Sequence, residues 1–168
     1  IRKVNPEANR LYLRALYQRN KSTQKEPTLK SIEYFKQALE IDPNFALAYV
    51  GLADAYLWYS NTGYSSYEDI LPKVKTAINK ALEIDSTLGE AYSILSEISF
   101  SENLDWIERE RNLKKVIELN PNSVDGHINY SYFLARLGRS QEALDELRIA
   151  QQLDPLSEDL YFDAATVY

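Results

Sequence analysis

Five residues, Ala-Leu-Glu-Ile-Asp, occur twice in this chain, at 38–42 and 81–85, and related endings follow at 116–121 and 150–155. Counted between Pro43, Ser86, Pro121 and Pro155, the spacings are 43, 35 and 34 residues. A unit that returns at such a period cannot bury its own apolar face. It has to fold alike each time and stack on its neighbours.

A helix-spaced pattern precedes each of these points. Ile32, Phe35, Ala38, Leu39 and Ile41 stand three and four apart, as do Ala143, Leu147, Ala150 and Leu153, which is one face of an α-helix. Asp-Pro or Asn-Pro then ends the helix. The residue before proline is pushed out of the helical region, and proline brings no amide hydrogen. A second series follows each stop: Tyr49, Leu52, Ala53, Tyr56; Tyr92, Leu95, Ser96, Ser99; His127, Tyr130, Ser131, Leu134; and Tyr161, Ala164, Ala165, Tyr168. Its third member is small every time. Helix backbones approach closely only where a short side chain meets a bulky one, so the pattern predicts tight antiparallel helix pairs.

The stretch 124–155 carries His127, Tyr130, Ser131 and Leu134, a turn at Gly138, then Ala143, Leu147, Ala150 and Pro155. It resembles the tetratricopeptide repeat, with its W-x2-L-G-x2-Y first helix, its A-x3-F second helix and its late proline. The likeness covers about four and a half repeats, with departures. The first helix, 7–20, fits only around Leu11 and Ala15; residues 58–72 are additional; and Arg109 stands where a small residue is usual. The resemblance implies an all-α fold: a right-handed superhelical solenoid of antiparallel helix pairs, a single domain over residues 1–168. Residues 11–60 are also similar to the repeat segments of bacterial multidomain signalling proteins, which with the absence of Met suggests a piece of a longer polypeptide.

Catalytic parts are scarce. There is one His and no Cys, hence no thiolate nucleophile, disulfide or thiolate metal site. His127 occupies a packing position, and no phosphate-cradling loop, nucleophile elbow or paired-His motif is present. The reading is a non-enzyme with no cofactor and no metal. The net charge of −6 argues against nucleic acid, which is bound through clustered Lys and Arg. No apolar run reaches membrane-spanning length. The lack of Cys and of a signal peptide fits the cytoplasm.

In tetratricopeptide-repeat proteins the first helix of each pair lines a concave groove that receives a partner. That lining is the face opposite the packing series: Leu47, Val50, Asp54 and Leu57, with Trp58 beside them; Glu97 and Phe100; Ile128 and Tyr132, with Arg136 adjacent; and Phe162. Its acids and large apolar groups suit a protein or peptide segment with basic and apolar residues. The rival reading is an architectural spacer, or a self-association segment acting through the C-terminal helix, where Leu160, Tyr161, Ala164, Ala165 and Tyr168 share a face. Residues 58–72 are a second candidate contact surface, an exposed aromatic loop; alternatively 61–63 read as a helix stop and Ser66 as a cap, with Tyr59, Tyr64 and Tyr67 folding back over a longer first helix.

Overall fold

The computed structural model describes residues 3–21, 24–103 and 105–156. Among these it contains eight helices and no strand: α1 (Pro6–Lys21), α2 (Lys25–Ile41), α3 (Ala46–Asn61), α4 (Tyr67–Ile84), α5 (Gly89–Asn103), α6 (Trp106–Leu119), α7 (Val124–Arg136) and α8 (Ser140–Leu153).

The repeated Asp or Asn is a helix stop built the same way four times. Asp42, Asp85, Asn120 and Asp154 leave the helix with φ between −132 and −146°, while their N–H groups still donate to the carbonyls of Ala38, Ala81, Val116 and Ala150. The side-chain oxygen then accepts the N–H two residues on, from Asn44, Thr87, Asn122 and Leu156, at 3.3, 2.9, 3.3 and 3.2 Å. Only a short side chain carrying an acceptor can close this local turn, which competes with helix continuation.

The additional residues 58–72 are mostly helix, because α3 runs through Asn61 and α4 opens at Tyr67. Gly63, at φ +79°, makes the turn between them. Ser66 caps α4: its Oγ accepts the Asp69 N–H at 3.1 Å and donates to the Asp69 carboxylate at 2.6 Å, satisfying an otherwise orphan helix donor. Tyr59 packs on the core edge, with the Tyr64 ring 5.6 Å away.

The chain divides into two compact units, Ile1–Ile94 and Leu95–Tyr168. The boundary falls inside α5, where Ser93, Ser96, Ser99 and Ser101 dilute the apolar pattern. In the first unit α1 packs on α2, α2 on α3, and α3 on both α4 and α1. Fully buried Phe35 is the centre, with the Tyr12 ring 5.8 Å from it and 4.9 Å from Phe45. Burying one such ring stabilises by about 1.5–3 kcal/mol. Gly51 of α3 makes room for Phe35: a Cβ there would lie 2.5 Å from the ring. In the second unit α7 packs on α6 and α8, around Phe133, Leu134, Leu113, Ala143, Leu147 and Ala150.

The short residues lie where the pattern demands. Ala53, Ser131 and Ala150 are fully buried and Ser96 is 5% exposed. The Ser131 hydroxyl is buried and has no hydrogen-bond partner among the described residues, so this position selects size and not polarity. Ser131→Ala should therefore melt no lower than the wild type, because it removes an unpaired hydroxyl at almost constant volume. Ser131→Leu should cost about 1–3 kcal/mol by overpacking. Paired thermal or urea denaturation of the two variants checks this.

A polar cluster ties α6, α7 and α8 together. The Glu110 carboxylate accepts from Lys114 and Arg139, both at 2.8 Å, and from the Tyr130 hydroxyl at 3.0 Å. Arg139 also grips Glu142. Lys114, then Arg139 and Tyr130, hold the Glu110 carboxyl down from 4.5 to about 2. A carboxyl depressed in the folded state contributes stability that is complete above its unfolded value and is lost as pH falls toward the folded one. The wild type should thus lose more Tm than Glu110→Gln as pH drops from 4.5 to about 2, followed by circular dichroism.

Candidate functional site

The first unit offers part of the expected docking face. Leu47 is 38% exposed and Trp58 half-buried. Val50 is 7% and Leu57 3% exposed, and neither lines an open face. The reason is that α3 touches α1, α2 and α4, so apolar positions on most of its circumference become core.

Asp54 is not a bare acid. Its carboxylate accepts from Arg19 of α1, with Nε at 2.8 Å and a terminal nitrogen at 3.4 Å, and the same guanidinium lies 4.2 Å from the Trp58 ring centroid. Arg19 is thus held by a carboxylate and an aromatic face together, a geometry its planar fork suits. The Trp58 indole N–H is buried with no acceptor among the described residues. Sequence reasoning passed over Arg19 because α1 fits the repeat only loosely. Counting eight residues on from Leu11, the offset that gives Leu57 from Tyr49, would have found it.

In the second unit Glu97 and Arg136 are exposed, while Ile128 and Tyr132 are half-buried. Ile128 packs on the edge of the core. Arg109, at an expected small position, lies half-buried with its guanidinium 5.8 Å from the Phe133 centroid. Burial there, with Arg136 nearby, lowers its pKa. Phe162 and the proposed C-terminal self-association face lie outside the described residues, as does the Phe100 side chain.

His127 is 3% exposed. Its Nδ1 lies 2.6 Å from the Glu146 carboxylate and its Nε2 3.0 Å from the Pro121 carbonyl, so it bolts α7 to α8 and to the preceding turn. Among the described residues no three His, Asp or Glu side chains converge to hold a metal ion. No described helix is long and apolar enough to cross a membrane.

Two models of the tetratricopeptide repeat match the sequence, at residues 112–145 and 28–45. The crystal structure of TTC0263, a thermophilic tetratricopeptide-repeat protein of Thermus thermophilus, superposes with a TM-score of 0.81 at 16% identity, covering 96% of this chain and 81% of that one. The chain carries tetratricopeptide repeats at both matched stretches. Its all-α helical-repeat fold is shared with the MamA protein (TM-score 0.64, 18% identity, 96% and 81% covered). It is shared too with YrrB, a tetratricopeptide-repeat protein with an unusual peptide-binding site (TM-score 0.60, 22% identity, 99% and 76% covered). In sequence it is similar to the transcriptional regulator HilA of Salmonella typhimurium, 26% identical over 149 residues and 89% of this chain. The chain spans about a quarter of that regulator's length, 27%. Tetratricopeptide repeats are protein–protein interaction modules.

Arg19 and Asp54 should couple in stability. A double-mutant cycle with Arg19→Ala and Asp54→Ala should return roughly 0.5–1 kcal/mol, the range for a partly exposed ion pair. Urea denaturation of the four proteins reads it.

Proposed function

We propose that this tetratricopeptide-repeat chain is a non-catalytic cytoplasmic module that binds a protein segment with basic and apolar residues on its first-helix faces. The observation that carries the reading is a division within α3 and α7. Each buries its packing series (Leu52 and Ala53; Tyr130, Ser131 and Leu134). Each still leaves large side chains reachable on the opposite face: Leu47 and Trp58 on α3, Tyr132 and Arg136 on α7. Aromatic and Arg side chains of this kind make most binding hot spots.

The charge preference rests on the second unit. From Leu95 onward there are fourteen Asp and Glu against seven Lys and Arg, and Glu97 and Asp125 are exposed on α5 and α7. In the first unit Asp54 already has Arg19, so apolar anchoring against Trp58 and Leu47 would dominate. The peptide-binding site of YrrB supports this reading. The likeness to HilA supports a place within a larger bacterial regulator, where the module would hold a partner or a neighbouring domain.

Fluorescence anisotropy tests it, with two synthetic peptides that share Leu and Phe anchors and differ only in Lys/Arg against Asp/Glu flanks. At low salt the basic peptide should bind the first-helix faces, and Tyr132→Ala should weaken it by roughly 1–2 kcal/mol. Charge reversal at Glu97 and Asp125 should weaken it further. Unchanged binding by these variants, or no binding of the basic peptide, would sink the proposal.

A further inference from the structure

The α1 helix runs against the charge of the whole. Over Pro6–Lys21 it carries Arg10, Arg14, Arg19 and Lys21 against the single acid Glu7, in a chain of net charge −6. Arg19 points its charge at Asp54 of α3. The other bases belong elsewhere on the helix. Arg10 is open to solvent, 73% exposed at its side chain, with Glu7 a distant 3.9 Å away. Arg14 is also exposed and makes no ion pair among the described residues.

Beside these two arginines run Leu13 and Tyr17, 54% and 62% exposed. At about 100° per residue, Arg10, Leu13 and Tyr17 fall on one side of α1. Ala8 and Ala15, fully buried, fall on the far side together with Arg19. The packed face of α1 therefore meets α2 and α3, and an apolar ridge with positive charge along one edge looks away from both.

We propose that this outer face of α1 is a second docking surface, one that takes an acidic protein segment carrying a bulky apolar anchor. Leu13 and Tyr17 supply the apolar contact, and Arg10 and Arg14, along one edge of it, select carboxylates. The charge is the argument for the occupant. It is opposite in sign to the rest of the chain, so it repels the basic segment assigned to the first-helix faces and attracts its inverse. Two apolar side chains are too few to anchor a helix in a bilayer. Two or three cations on one turn-and-a-half are too few for a nucleic-acid footprint.

Anisotropy titrations at low ionic strength with the acidic and basic peptides described above decide it. The wild type should bind the acidic peptide. The variant R10E/R14E should weaken that binding about tenfold or more, and L13S/Y17S should weaken it comparably. Binding of the basic peptide should be no weaker in R10E/R14E, which separates this surface from the α3 and α7 faces. All four positions are exposed, and circular dichroism melts verify that the variants fold. The proposal is overturned if the acidic peptide does not bind the wild type, or if either variant binds it as tightly. It is equally overturned if phosphatidylserine vesicles bind the protein through Arg10 and Arg14 while the peptide does not. Self-association that R10E/R14E abolishes and the acidic peptide fails to compete would assign the face to a second copy.

Discussion

The close approach of helix backbones at short side chains is what every other feature rests on. Ala8, Ala15, Ala38, Ala53, Ser131, Ala143 and Ala150 are all fully buried, and Gly51 lets the Phe35 ring sit against the α3 backbone. Distance between axes sets how much of each bulky neighbour can be covered. With short residues at the crossing, Phe35 and Phe133 lose all contact with water. A larger residue at the crossing would part the helices and expose the rings.

Packing of this kind also decides which side chains are left for a partner. A helix with neighbours on two or three sides has one strip remaining, and its chemistry becomes the protein's outward chemistry. On α3 the strip is narrow, so Leu47 and Trp58 stay reachable and Val50 does not. On α1 the outward strip is wide, and the arginines there face solvent while Arg19, on the packed side, is drawn to Asp54 and Trp58. One helix thus carries two kinds of arginine, sorted by face alone.

Much of the fold was legible because its signals are local. The stop at Asp or Asn needs only the residue itself and the N–H two positions on, and the cap at Ser66 needs only Asp69. Periodicity then places one face of each helix inward. The additional residues 58–72 were harder, since their Tyr and Ser content suits a loop, yet neighbouring helices extend through most of them. The candidate face was less legible still. Its formula assumed that each first helix has one packed side, which fails for Val50, and it was not applied to the irregular α1.

By itself the sequence determined the helices, their stops and the short residues at their crossings, because each depends on backbone geometry and on neighbours within a few positions. Only the tertiary structure decided which charges meet. Arg19 reaches across 35 residues to Asp54, and Arg139 across 29 to Glu110. Such pairs depend on where whole helices come to lie, and no pattern within a single helix encodes that.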